Sequence, residues 1–144
     1  MSHYCYDIES DGLLDIITKV HCLAVKDCDT GVERLFVGDE VKDGLALLDT
    51  AEKIYGHNVI GFDNPALQLI LDWVPKAEVV DTMIWAMFLF SDLKNADARQ
   101  YADDDEFDAI IGSNSLDAWG QRLGCRKMPY DLGWEAYNKV MGDY

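Results

Sequence analysis

The chain has 144 residues, 49% of them hydrophobic and 11% aromatic, which is enough to bury the core of one domain that folds alone. Its 27 acidic and 12 basic residues give a formal net charge of −15, which repels a polyanion and argues against a stand-alone nucleic-acid binder. A phosphodiesterase that grips its substrate through metal ions is not excluded. No apolar stretch is long enough to span a membrane, and residues 1–20 carry four acidic groups, unlike a signal peptide.

The four cysteines form no CxxC pair and no cluster with histidine at zinc-site spacing; they are Cys5, Cys22, Cys28 and Cys125. This usage is typical of reduced thiols in a cytoplasmic protein. We therefore expect a monomeric cytoplasmic domain with no membrane partner.

Three strands are predicted first along the chain, at residues 2–9, Val20–Lys26 and Val32–Val37. Turn residues separate them, at Ser10–Gly12 and Asp27–Gly31. Short turns between extended segments favour an antiparallel three-strand meander.

The apolar period then becomes helical over residues 41–51 and returns to a strand at Ile54–His57. Asn64, followed by proline, predicts the start of a helix that runs to Trp73, with asparagine as the N-cap. Val79–Val80 is a short buried strand, and Asp81 behind it is predicted to cap the next helix.

That next helix is predicted over Met83–Phe90, followed by a polar loop over residues 91–112. An amphipathic helix is predicted over Ser115–Leu123, ended by Gly124, and a last helix over Trp134–Tyr144. An antiparallel meander followed by two strand–helix units describes an α/β fold: a mixed five-stranded sheet with helices packed over it.

Asp7 and Glu9 end the first strand, and a strand places residues i and i+2 on the same face. Two adjacent carboxylates are costly unless a proton or a cation lies between them, and Mg²⁺ and Mn²⁺ prefer such oxygen ligands. The pattern is common, so a solvated acidic strand end is the alternative. Asp63 favours the metal site, because it falls where a strand leads into a helix and would join the pair there.

Four segments carry a family resemblance: Asp7–Ser10, His57–Leu67, Val80–Thr82 and Ser113–Gly124. They resemble the N-terminal 3′–5′ exonuclease (proofreading) domain of family A DNA polymerases, most closely those of short-tailed bacteriophages. This domain belongs to the DnaQ-like, ribonuclease H-like superfamily, and the resemblance runs over essentially all of residues 1–144. It implies a ribonuclease H-like sheet and a polymerase domain in the same or a split chain.

The resemblance implies phosphodiester hydrolysis with two Mg²⁺ or Mn²⁺ ions and no covalent intermediate. Asp7 would bridge both ions, Glu9 would help to hold the ion that activates water, and Asp63 would support the second ion. The implied substrate is the 3′ end of single-stranded DNA, in the cytoplasm of a bacterial host.

The same resemblance places substrate contacts at Ser10 and Leu13, with Leu13 as a wedge against the terminal base. Asn58 would hydrogen-bond the substrate strand. Ordinary core packing is the alternative for Leu13, and His57 is more simply a structural histidine.

The third motif of the family is Tyr-x-x-x-Asp on the last helix, and Tyr144 stands where its catalytic tyrosine is expected. The aspartate would fall after residue 144, so the exonuclease domain is expected to be truncated at this motif. Two functions remain open, besides a free-standing oligoribonuclease-like enzyme, which is weaker because Ser113–Gly124 resembles the polymerase-linked branch of the family. One is a proofreading 3′–5′ exodeoxyribonuclease module, and the other is a non-catalytic structural fragment of the polymerase that lacks the fourth metal ligand.

Overall fold

The computed structural model describes residues 2–102 and 110–125 of the chain. They fall into two compact units, of which the first ends at Thr82 and the second begins at Met83. The helix predicted over residues 134–144, and with it Tyr144, lies outside the described residues.

The first unit holds a five-stranded sheet, whose strands are β1 (His3–Ser10), β2 (Val20–Asp27), β3 (Glu33–Val37), β4 (Lys53–Gly56) and β5 (Glu78–Asp81). Their order across the sheet is β3-β2-β1-β4-β5. The first three strands pair antiparallel, whereas β4 pairs parallel with both β1 and β5. This is the predicted meander with two added parallel strands, so the α/β, ribonuclease H-like fold class is confirmed.

The helices are α1 (Val41–Leu48), α2 (Asp63–Leu71), α3 (Thr82–Leu89), α4 (Leu93–Gln100) and α5 (Leu116–Arg122), with a short 3-10 helix (Gly38–Glu40) before α1. Helix α4 corrects the sequence analysis, which predicted a loop there. No helix of the described residues has both the length and the apolar character needed to cross a membrane.

The core of the first unit lies on the face of the sheet that α1 and α2 cover. Tyr6 and Ile8 of β1 point into it, and the residues between and beside them point to the other face. Other members of the core are Leu23, Val25, Val41, Leu45, Leu48, Ile54, Ala66 and Leu67. Each large side chain buried in this way stabilises the fold by about 1.5–3 kcal/mol. The opposite face of β1 is left to its polar residues.

The start of α2 differs from the prediction. The helix begins at Asp63, its N-cap is Phe62, and no side chain caps it. The side chain of Asn64, predicted as the cap, instead accepts a hydrogen bond from the hydroxyl of Tyr6. Pro65 is the third residue of the helix, where an amide proton would have no partner inside the helix.

A buried ion pair organises the described part of the second unit. The Arg122 guanidinium donates to both carboxylate oxygens of Asp97, at 3.0 and 2.7 Å, and to the carbonyls of Ile110 and Ser113. Asp97 also accepts from the amide of Gly112 at 2.8 Å. The segment from residue 110 to 113 is therefore tied to α4 and α5 together.

Helix α5, predicted over Ser115–Leu123, runs over Leu116–Arg122, with the predicted end residues as its caps. The hydroxyl of Ser115 accepts from the amide of Ala118, as an N-cap does. Gly124 follows the helix with φ of +69°, a left-handed conformation that glycine adopts without strain.

Candidate active site

Asp7 and Glu9 lie on the same face of β1, as predicted, and both are exposed. Ala24 of β2 lies opposite Asp7, and Cys22 lies opposite Glu9. The register shifts between Glu9 and Ser10, so the strand bends just after the acidic pair. Small neighbours leave the pair open to solvent or to a ligand.

Asp63 approaches the same strand from the first residue of α2. It is only 4% exposed, and its Oδ1 accepts a hydrogen bond from the amide of Ile8 at 3.2 Å. Ile8 stands between Asp7 and Glu9 in the chain, so the third carboxylate reaches the backbone between the first two. The three predicted metal ligands thus belong to one region of the first unit.

The electrostatics of this region disfavour the charge of Asp63. Burial, followed by the negative charge of Asp7, raises the pKa of Asp63 to about 6, although the Ile8 amide works in the opposite direction. At neutral pH the site therefore holds a carboxylate whose charge is poorly compensated. A bound cation would relieve that cost.

The donor set suits a hard divalent ion, because all three groups offer carboxylate oxygens. The three carboxylates do not form a complete set of metal ligands. Within residues 2–102 and 110–125, no three Asp, Glu, His or Cys side chains converge closely enough to hold a metal ion. The structure therefore brings Asp63 to the strand of Asp7 and Glu9 without closing the three into one site.

Asp81 has a role that the sequence analysis did not find. It is 3% exposed, and its carboxylate accepts from the amides of Asn58 and Ile60, both at 3.0 Å. It therefore holds the turn that leads to Asp63, and it also lies directly before α3, where the sequence predicted a cap. The only sequence signal was an aspartate directly after a buried strand.

Asn58, a predicted substrate contact, is half-buried in that turn and has φ of +64°. Asparagine tolerates this left-handed conformation better than most residues. A Cβ at Gly61 would lie 2.4 Å from Oδ1 of Asn58, so glycine there makes room for the amide group. The neighbouring His57 contacts the hydroxyl of Thr82 at 3.0 Å, in agreement with a structural histidine.

Ser10 is the last residue of β1, and Leu13 lies in the loop that follows. The hydroxyl of Ser10 donates to the carbonyl of Gly12 at 3.0 Å. Leu13 is 68% exposed, which rules out core packing as its role, and Ile16 beside it is 66% exposed. Asp11 fixes the loop by accepting from the amides of residues 18 and 19.

Comparison with known proteins gives two relatives among phage enzymes. The chain is 32% identical to the DNA-directed DNA polymerase of Escherichia phage T7, in an alignment that covers 96% of this chain and 24% of the relative. It is 30% identical to the DNA-directed DNA polymerase of Enterobacteria phage T3, with the same coverage. The chain is homologous to these phage DNA polymerases.

The homology reaches nearly the whole chain, which spans about a quarter of the length of each polymerase. No family model matches. The family B DNA polymerase of the archaeon Pyrobaculum calidifontis is a structural neighbour with a TM-score of 0.39 and 26% identity, over 47% of this chain and 10% of that one.

Proposed function

We propose that this polymerase homologue is a metal-dependent 3′–5′ exonuclease module that removes nucleotides from single-stranded DNA ends. The observation that carries the proposal is the hydrogen bond from the Ile8 amide to Asp63, which joins a third carboxylate to the strand of Asp7 and Glu9. A site made only of carboxylates in a polymerase homologue suits phosphodiester hydrolysis better than any other chemistry on this surface.

In this proposal Asp7, Glu9 and Asp63 hold two Mg²⁺ or Mn²⁺ ions. Such ions supply an activated water and stabilise the attacking and leaving oxygens. Asp7 and Glu9 offer exposed oxygens at the strand end, whereas Asp63 supports them from a buried position. Because the pKa of Asp63 is raised, a bound ion would stabilise its charged form.

The loop after β1 supplies the proposed contact with the terminal nucleotide. Leu13 is exposed and free to stack against a base, and Ile16 extends the same apolar surface. Ser10 lies at the junction between this loop and Glu9. Asn58, in the turn before Asp63, is the proposed contact to the strand behind the terminal nucleotide.

The proposed partner is the remainder of a polymerase, which the chain's relatives carry in the other three-quarters of their length. A basic polymerase part would hold the DNA that this acidic chain repels. The place of action would be the cytoplasm of the bacterial host.

A non-catalytic role in the polymerase is the second candidate. It is favoured by one observation, the lack of a three-ligand metal group among the described residues. In that case the fold would serve the polymerase as a structural part.

The test is an exonuclease assay on single-stranded DNA with a labelled 3′ nucleotide, in Mg²⁺, in Mn²⁺ and in EDTA. It is run on residues 1–144 and on the full product of the gene, since the resemblance implies a fourth carboxylate after Tyr144. Release of the label that needs the metal and disappears in Asp7→Ala supports the proposal. Asp43→Ala is the matched control, because Asp43 is an exposed acidic residue of α1.

Full-length protein that binds Mn²⁺ and leaves the label in place would instead favour the non-catalytic role. Residues 1–144 alone are expected to act slowly, because losing one catalytic group commonly costs about 10²–10³ in rate or more. Full activity of the 144-residue chain would contradict the implied fourth ligand.

A further inference from the structure

We propose that Tyr6 is a positioning residue of this site, which holds Asp63 in place through Asn64. The positioning role of Tyr6 rests on the proposed function, whereas its hydrogen bond to Asn64 is a feature of the structure. They form a clamp, defined here as the two hydrogen bonds Tyr6–Asn64 and Ile8–Asp63, between β1 and the first turn of α2.

The first bond of the clamp runs between side chains. The hydroxyl of Tyr6 donates to Oδ1 of Asn64 at 2.5 Å, and Tyr6 is only 2% exposed. Burial, together with the charge of Asp63, raises the pKa of this hydroxyl, so it keeps its proton and remains a donor. The bond is part-buried, so breaking it has a cost, because groups shielded from water do not regain full hydration.

The second bond uses the amide of Ile8, which lies outside the pairing of β1 with β4. Strand β4 pairs only with residues 3–5 of β1, so Ile8 lies beyond the last of these pairs. Its amide is satisfied by Asp63 at 3.2 Å. Buried amides need such a partner, and here a side chain of α2 supplies it.

The clamp ties the first turn of α2 to β1 but does not cap the helix, because neither bond accepts from a helix amide. No side chain caps α2, and Pro65 lacks an amide proton. The two bonds instead start from alternate residues of one strand and end on consecutive residues of one helix, Asp63 and Asn64. Rotation of the first helical turn would stretch both bonds at once. The bond from Tyr6 therefore fixes where Asp63 lies relative to Asp7.

Tyr6→Phe removes only the hydroxyl and keeps the ring in the core. Tyr4→Phe is the matched control, because Tyr4 lies two residues earlier on the same face and packs against the same core. Among the described residues, the Tyr4 hydroxyl makes no hydrogen bond to α2.

Two measurements test the clamp: hydrogen exchange of the Ile8 amide and Mn²⁺ affinity. Amide hydrogen exchange of Ile8, followed by NMR without metal, reports directly on the Ile8–Asp63 bond. We expect it to speed up by as much as about tenfold in Tyr6→Phe, as the loss of one hydrogen bond allows. Mn²⁺ affinity is expected to fall about tenfold, which is typical when an outer partner of a metal ligand is lost. Tyr4→Phe should change neither quantity.

Unchanged Ile8 exchange in Tyr6→Phe would overturn the clamp. Faster exchange with the parent's Mn²⁺ affinity would overturn the positioning role and leave Tyr6 a packing residue. A parent that binds no Mn²⁺ would refute the proposed metal site, whereas Ile8 exchange would still decide the clamp.

Asn64 offers a second route should Tyr6→Phe fail to fold. Asn64→Ala removes the acceptor and should reproduce the faster Ile8 exchange, whereas Asn64→Asp keeps an acceptor and should restore protection. Combining Tyr6→Phe with Asn64→Ala should add little to either single change, because both remove the same bond. Fully additive effects on Mn²⁺ affinity would contradict the clamp.

Discussion

The amide of Ile8 donates to Oδ1 of Asp63 across 55 positions of the chain, at 3.2 Å. The bond places a carboxylate from the start of α2 beside a strand that carries two others. It also lowers the pKa of Asp63, yet burial and the charge of Asp7 outweigh it. The hydrogen bond therefore holds Asp63 beside β1, whereas burial and the charge of Asp7 disfavour its ionised form.

Asp63→Asn is expected to stabilise the metal-free protein at neutral pH. The folded pKa of Asp63, about 6, exceeds the ordinary value of 3.8, so the folded state binds the proton more tightly than the unfolded state. The parent should thus lose stability as pH rises from 3.8 to about 6. Thermal unfolding should show a gain of about 1–3 kcal/mol for the variant at pH 7.5, which fades toward pH 4.

Asp11→Asn gives a control of opposite sign. Hydrogen bonds from the hydroxyl and amide of Thr18, and from the amide of Lys19, lower the pKa of Asp11 to about 2. Its charge stabilises the fold, so the variant should be less stable than the parent at pH 7.5. A gain in both variants would mean that the gain is not specific to Asp63, and a gain in neither would mean that the charge of Asp63 has no folding cost.

DNA binding without metal is expected to be weak. The net charge of −15 leaves few contacts to phosphates, so the affinity should be no tighter than non-specific binding, with Kd of about 10⁻⁶–10⁻⁴ M, and should depend little on salt. Fluorescence anisotropy with a labelled single strand in EDTA, over a range of salt concentrations, measures both. Nanomolar binding at moderate salt would contradict this prediction, because it requires a concentrated basic surface on the chain.

Arg122→Met is expected to destabilise the second unit strongly. The Arg122 side chain is 8% exposed and that of Asp97 4%, so the change leaves a buried carboxylate without its cation. Burial alone would raise the pKa of Asp97, but the bonds from Arg122 and Gly112 hold it below its ordinary value. Breaking such a pair typically costs about 3–5 kcal/mol.

Arg99→Met is the matched change at the surface. The pair of Arg99 with Asp92 is 3.4 Å long, and both side chains are mostly exposed, so we expect a loss of at most about 1 kcal/mol. Chemical denaturation of the two variants gives the comparison. Equal losses would mean that the pair of Arg122 with Asp97 does not organise its unit.

The sheet followed from local patterns in the sequence. The turn residues between the first strands predicted the meander, and alternation along β1 placed Asp7 and Glu9 on one face. These features depend on neighbours in the chain, so the sequence alone was sufficient to predict them.

Contacts between distant residues were not predictable in this way. Helix α4 has little apolar periodicity, and it is held by the bond of Asp97 to Arg122, 25 positions away. Asp81 has the local pattern of a helix cap, and no local pattern indicates that its carboxylate also accepts from the amide of Asn58, 23 positions earlier. The exposure of Leu13 and the burial of Asp63 likewise depend on packing that the sequence does not display.

The central claim is that Asp7, Glu9 and Asp63 bind divalent metal together. The most direct test is a calorimetric titration of the chain with Mn²⁺, repeated with Asp7→Ala and with the control Asp43→Ala. We expect saturable binding by the parent and the control, and loss of most of the signal in Asp7→Ala, which should keep or gain stability without metal. Equal binding by Asp7→Ala and the parent would contradict the claim.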